Sequence, residues 1–446
     1  VTLLYFLIAI SLLVVIHEFG HFWVARRCGV YVKRFSVGFG KPLWSFTDKQ
    51  GTEFAIAPIP LGGYVAMLDE REGDVPPERL HQAYNRKSPW QRIAIASAGP
   101  VANFLFAIAA YWFLFASGTS GLVPVVGEVE EGSPAYQAGF YAGDEILAVA
   151  EHNTSTWEDV NWQLVRYLGD STQIPFTLKG SDGSVQQVQV SVQQWLSDAE
   201  NPDPISSLGL APRQLKVPAQ IREVQPEGAG AQSGIQIGDT LIAVNGVAVA
   251  DWFELTERIM ASPNQPLQLE VQRAEQQLTL TLTPASRESA DGKTVGFAGL
   301  AVEPPVFPED WLRKRQLGVV DALWQGITKT YSTSVFTLES LWKMLKGMLS
   351  VKNLSGPVSI AKVAGASAQA GLESFISFLA LLSISLGVLN LLPVPMLDGG
   401  HILFCLIEVI KGKPLSEQLQ TLAVKAGLFV LLCLMLVAFY NDLGRL

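Results

Sequence analysis

Four stretches of the chain run apolar with few or no charges. Residues 1–25, 93–117 and 374–397 are each long enough to cross a bilayer as a helix, and 426–441 is shorter. The last extends back past Lys425 if that side chain lifts its ammonium to the interface. Between the first two stretches the period changes. Val30-Tyr31-Val32, Phe35-Ser36-Val37-Gly38-Phe39-Gly40, Glu53-Phe54-Ala55-Ile56-Ala57 and residues 64–68 are β-rich, partly alternating and punctuated by Gly and Pro. Residues 30–68 are too few and too apolar for an independent domain. They predict a small hairpin sheet, either dipping toward the membrane beside the first span or lying wholly in the cytoplasm. Over 310–349 the period changes again. Leu317, Val320, Trp324, Ile327, Tyr331, Val335, Leu338, Trp342, Leu345 and Leu349 recur at steps of three or four. That pattern predicts a helix, on the outer membrane surface or packed beneath the domains that precede it.

The long segment between the second and third spans repeats itself. Gly139-Phe140-Tyr141-Ala142-Gly143-Asp144-Glu145-Ile146-Leu147-Ala148-Val149 aligns with Gly234-Ile235-Gln236-Ile237-Gly238-Asp239-Thr240-Leu241-Ile242-Ala243-Val244 at an offset of 95. The shared pattern resembles bacterial PDZ domains, which hold an extended chain end between a helix and a strand edge. Such a pair binds peptides or acts as a steric filter. The fold class expected is an α-helical membrane protein with four transmembrane helices, a membrane-associated β-hairpin sheet and two periplasmic α+β PDZ domains in tandem. Its parts are 1–25 (first span), 26–92 (β region), 93–117 (second span), 118–215 and 216–303 (the PDZ pair), 304–373 (amphipathic helical region at the outer membrane face), 374–411 (third span) and 412–446 (fourth span and C-terminus).

Composition agrees with that division. Of 446 residues, 49% are hydrophobic and only 16% charged, with mean hydropathy +0.26, as for a membrane protein with sizeable soluble parts. Arg26, Arg27, Lys33, Arg34, Lys41, Arg86, Lys87 and Arg92 flank the first two spans, so that connection is expected in the cytoplasm. Residues 118–373 then lie outside, and 118–310 hold nine Lys and Arg against 26 Asp and Glu. This acidic surplus gives no sign of nucleic-acid binding. None of the three cysteines, Cys28, Cys405 and Cys433, lies in the outer segment, so no disulfide framework is expected there.

The chemistry is concentrated in two spans. His17-Glu18-Phe19-Gly20-His21 places two imidazoles one helical turn apart, the spacing at which both can hold one metal ion. The glutamate between them is then placed to act as general base. Isolated membrane histidines are often packed polar residues with a backbone partner, but three ionisable groups within five residues are costly at bilayer depth without partners. The third span ends in Asn390-Leu391-Leu392-Pro393-Val394-Pro395-Met396-Leu397-Asp398-Gly399-Gly400-His401. Its two prolines break the helix. A catalytic zinc with two histidines needs a third protein ligand and one open position, and Asp398 is the natural candidate. The alternative for Asp398 is a helix cap. Asn390 offers an amide that could hold a substrate carbonyl. His401 is read as structural rather than as a donor to a ligand. Asn103, inside the second span, is read as a structural hydrogen-bonding group of the bundle.

Together, His17-Glu18-x-x-His21, the Asn390-x-x-Pro-x-Pro-x-Leu-Asp398-Gly segment and the intervening repeats resemble the site-2 protease family of intramembrane zinc metalloproteases. Further matching stretches are Phe39-Gly40-Lys41-Pro42-Leu43-Trp44, Pro60-Leu61-Gly62-Gly63-Tyr64-Val65 and Leu354-Ser355-Gly356-Pro357-Val358. The resemblance implies a Zn²⁺ cofactor on His17, His21 and Asp398, with Glu18 and Asn390 as catalytic residues. It implies single-span membrane substrates, namely an anti-sigma factor after a first cleavage and remnant signal peptides. It also implies the bacterial inner membrane, an active site near the cytoplasmic side, a PDZ pair that excludes bulky substrates, and substrate contact with the 30–68 sheet by strand addition. A catalytically inert PDZ scaffold would leave Glu18 and Asp398 without a role. A metal transporter would call for more polar residues across the spans.

Overall fold

The computed structural model describes residues 2–199, 202–288, 294–303 and 307–444. Among the described residues, four helices are long and apolar enough to cross a membrane: α1 (Thr2–Arg27), α2 (Pro89–Ser117), the third span Leu372–Leu391 and the fourth span Glu417–Gly444. The second begins before the apolar run, because Ser88 and Gln91 form a reciprocal cap and Pro89 fills the first turn. The third ends at Leu391, short of the expected 397, since Pro393 and Pro395 cannot continue it. The fourth does extend back past Lys425.

Helix α2 is the centre of the bundle. On one side it meets α1 so closely that a Cβ on Gly20 would come 2.2 Å from the Ala98 carbonyl oxygen. On the other it meets the third span, where Ala107, Tyr111 and Leu114 pack with Ala380, Ile384 and Val388. There Gly387 lets the Phe104 ring and the Pro100 carbonyl approach.

Four strands follow α1: β1 (Val32–Phe39), β2 (Trp44–Thr47), β3 (Glu53–Ile56) and β4 (Ile59–Met67). They form a sheet in the order β2-β3-β1-β4. The expected breaks within 30–40 close into one strand, and the strand at 44–47 was not expected. The sheet is mixed, because β1 runs parallel to β3 and antiparallel to β4. Phe35 and Phe54 pack edge-on to Phe22 of α1, which fixes the sheet against that helix. The following turns are clamped by Arg71 on Asp69 and Arg86 on Glu70. The Arg86 and Asn85 side chains pull the Glu70 carboxyl down to about 2.

The repeat becomes two α+β units of one plan, each with an antiparallel sheet. In the first the sheet order is Val185–Val192, Thr172–Lys179, Glu145–Val149, His152–Asn153; in the second it is Gln276–Leu282, Leu267–Arg273, Thr240–Val244, Val247–Ala248. Helices Trp157–Val165 and Trp252–Met260 occupy matching places. The shared Gly-Asp is a turn. Gly143 and Gly238 have φ of 96° and 93°, open to glycine, and each aspartate accepts from the amide three residues earlier, Tyr141 or Gln236. Residues 200 and 201, within the part expected as 118–215, lie outside the described residues, as do 304–306 of the segment after the second unit.

The helix expected over 310–349 is shorter. Leu312–Arg315 is a strand paired antiparallel with Thr119–Leu122, and the helix runs from Val319 to Leu345. A strand whose partner lies far away in sequence leaves no mark on a local helical period. This helix is held from two directions. A Cβ on Gly326 would come 3.0 Å from the Ile108 carbonyl oxygen of α2. Toward the first unit, Lys329 Nζ lies 4.0 Å over the Trp162 ring, and Lys343 reaches Asp170 at 2.8 Å.

In the second unit Arg273 grips the buried Asp239 with two hydrogen bonds of 2.8 Å and holds its carboxyl below the usual carboxylate range. A lowered folded pKa stabilises above the unfolded value of about 3.9, and that contribution is lost as pH falls through the folded value. Arg273→Met should therefore weaken this unit by about 2 kcal/mol at pH 7 and by less below pH 3, read from hydrogen exchange of strand 240–244.

Candidate metal centre

The three donors predicted from sequence meet at one point. His17 and His21 are both 8% exposed, and their Nε2 atoms are 3.2 Å apart. Asp398 Oδ2 is 3.2 Å from His17 Nε2, and Oδ1 is 3.5 Å from His21 Nε2. One donor atom from each residue lies within 4.8 Å of the others. Atoms bound tetrahedrally to one zinc at 2.0–2.1 Å stand roughly 3.3 Å apart, so this spacing fits that ion. Asp398 Oδ2 is buried with only the close contact to His17 Nε2 and no well-formed hydrogen bond, an arrangement that a cation relieves. Two imidazoles and a carboxylate are also a donor set that zinc takes.

Helix α2 orients both rings. His21 Nδ1 lies 2.8 Å from the Ile95 carbonyl oxygen, to which it donates, leaving Nε2 free to act as a donor atom. His17 Nδ1 lies 3.1 Å from the Asn103 side-chain amide nitrogen. Gly99 sits between the two contacts. A Cβ there would come 2.3 Å from His21 Nε2 and 2.7 Å from His17 Cε1. Sequence reading placed Asn103 in bundle packing and passed over Gly99 and Ile95. The signal was their spacing of four in a span that carries an internal polar side chain.

Asp398 arrives by a different route. After the third span the chain turns through 392–397, with Met396 at φ 132°, and re-enters a helix at Asp398–Lys411. Asp398 opens that helix, but no side-chain cap hydrogen bond is made at its N-terminus, which removes the alternative reading of Asp398 as a cap. Gly399 and Gly400 let its first turn sit against the backbone of 391–395. A Cβ on Gly427 of the fourth span would come 1.8 Å from the Pro395 carbonyl oxygen, so that span braces the turn.

Glu18 is half-buried and faces β4, where a Cβ on Gly63 would lie 3.6 Å from Glu18 Cγ. β4 is the outermost strand on that side, so among the described residues its far edge pairs with no other strand. Asn390 lies half-buried in the last turn of the third span, and among the described residues its side chain makes no hydrogen bond. His401 is exposed and its ring lies near Phe404.

Four membrane-length helices, with a histidine pair and a glutamate in the first and an aspartate just beyond the third, define a membrane metalloprotease of the site-2 type. The chain matches the model of peptidase family M50 over residues 5–434 and belongs to that family. Among its relatives, the "Regulator of sigma-E protease RseP" of Escherichia coli K12 is 45% identical over 99% of this chain and 98% of the relative. The "Putative zinc metalloprotease" of Vibrio cholerae is 44% identical over the same shares. "Protease RseP" of Yersinia pestis is 43% identical, again over 99% and 98%.

Because a Cβ at position 99 collides with both imidazoles, Gly99→Ala should lower zinc affinity on the order of tenfold or more, measured by chelator competition on the purified chain.

Proposed function

We propose that this protein is a zinc-dependent intramembrane endopeptidase that cleaves single-span transmembrane substrates during regulated intramembrane proteolysis. The observation that carries this is the convergence of His17, His21 and Asp398, with a buried carboxylate oxygen facing the two imidazoles, one residue from Glu18. The names of the relatives point to the sigma-E envelope-stress pathway. The substrates proposed are an anti-sigma factor already shortened by a first protease, and remnant signal peptides.

His17, His21 and Asp398 hold the metal. Bound there, zinc supplies a Lewis acid that polarises the scissile carbonyl and lets water lose a proton near neutral pH. Glu18 takes that proton on a carboxylate oxygen as the water oxygen bonds to the carbonyl carbon. It then delivers the proton to the amide nitrogen as the C–N bond breaks. The Asn390 side-chain N–H donates to the substrate carbonyl oxygen. A helical substrate shields its peptide bonds, so it must first unwind, and the free edge of β4 accepts it as an added strand. Water reaches the site from the cytoplasmic side.

The basic residues flanking α1 and α2 support an inner-membrane orientation with the sheet in or near the cytoplasm and the repeats in the periplasm. We read the two repeated units, 118–215 and 216–303, as tandem PDZ domains. In the second, a groove of about 320 Å³ runs between Trp252–Met260 and the 295–300 backbone, lined by Trp252, Ile259, Met260, Phe297 and Leu300. Its size suits a short extended segment, while the bulk of the pair suits exclusion of large outer domains. The segment 304–373 is placed at the outer membrane face.

The test compares wild type, Glu18→Gln and Asp398→Ala in detergent with a single-span substrate lacking its outer domain. Glu18→Gln should keep about one zinc per chain and lose cleavage by at least about 10³-fold, whereas Asp398→Ala should lose the zinc. Turnover by Glu18→Gln removes the general-base assignment, and full zinc in Asp398→Ala moves the third ligand elsewhere.

A further inference from the structure

We propose that Asn103 is a positioning residue of the metal centre, whose side-chain carbonyl accepts the His17 Nδ1 proton and so keeps Nε2 directed at the metal. This rests on the reading of His17, His21 and Asp398 as zinc donors.

Asn103 is 0% exposed in α2, at a depth where an unpaired amide is costly. Its side chain ends on His17 Nδ1 at 3.1 Å, with Nδ2 as the near atom, and Oδ1 is buried without a partner. The two ends of an amide exchange by a half-turn of its last torsion. A histidine that binds metal through Nε2 carries its proton on Nδ1 and needs an acceptor there. The half-turn supplies that acceptor, pairing Oδ1 with His17 and turning Nδ2 to where Oδ1 now stands.

A role in helix packing alone would direct the amide at the third span. The third span takes the backbone instead, with Ser383 Oγ donating to the Asn103 carbonyl oxygen at 2.9 Å. The side chain is thereby left for α1. The two imidazoles are served alike by one face of α2, His21 by the Ile95 carbonyl and His17 by Asn103, two turns further on. Backbone serves the nearer ring. A side chain is used for the other, because the Asn103 carbonyl is already engaged with the third span.

The test uses the full chain in detergent, with wild type, His17→Ala, Asn103→Leu and Asn103→Asp. Zinc affinity is read by chelator competition, and the cobalt-substituted site by its visible absorption. Asn103→Leu, close in volume and without an acceptor, should bind zinc about 10–100-fold more weakly and shift the cobalt bands. Asn103→Asp, which keeps the acceptor, should stay within about threefold of wild type. The proposal is overturned if Asn103→Leu binds as wild type does, or if Asn103→Asp loses affinity as Asn103→Leu does. If Asn103→Leu does not fold, Asn103→Asp decides alone: held affinity supports the proposal and a tenfold loss overturns it. Equal zinc in wild type and His17→Ala would instead remove the underlying donor assignment.

Discussion

The structure depends on how closely α1 and α2 approach. In a bilayer, burying apolar side chains between helices gains little over leaving them in lipid, so association rests on packing and hydrogen bonds. Here both require missing side chains. Gly20 brings α1 onto the Ala98 carbonyl, and Gly99 leaves room for the two imidazoles. Only at that distance can His21 reach the Ile95 carbonyl. The remaining elements are arranged around this pair, with β4 on the flank of α1 and the third span on the flank of α2.

Much of the site was legible because its chemistry constrains residue type and spacing. Two histidines four apart with a glutamate between them signal a metal helix, and the metal's need for a third donor pointed to Asp398. What stayed hidden depends on partners far away in sequence. The parallel pairing of β1 with β3 cannot be read from two alternating stretches. Neither can the pairing of Leu312–Arg315 with Thr119–Leu122, so the helical period was extended too far. Asn103 was visible as a polar residue in a span, yet a polar residue there has several possible partners. Gly99 looked like any other small residue of a span until the two rings beside it were placed.

The two repeated units share a plan but not an attachment. The first is tied to the helix Val319–Leu345 by Lys343, which bonds Asp170 and the Arg166 and Leu168 carbonyls, and by the contact of Trp162 with Phe336. Arg313 adds a link from the returning strand to Glu145. Among the described residues, no hydrogen bond from 219–302 reaches that helix or the spans. The first unit is therefore bonded to the bundle through that helix and the returning strand.

The turn at 392–397 carries a consequence for how the protein is made. The histidine pair leaves the ribosome with the first span, while Asp398 emerges after the third, just beyond the non-helical bend that Gly427 of the fourth span braces. Asp398 is thus made only after three of the four spans. A chain stopped before position 398 carries the histidines and the glutamate without the carboxylate that meets them, so the order of synthesis itself leaves the proposed donor set incomplete in such a copy.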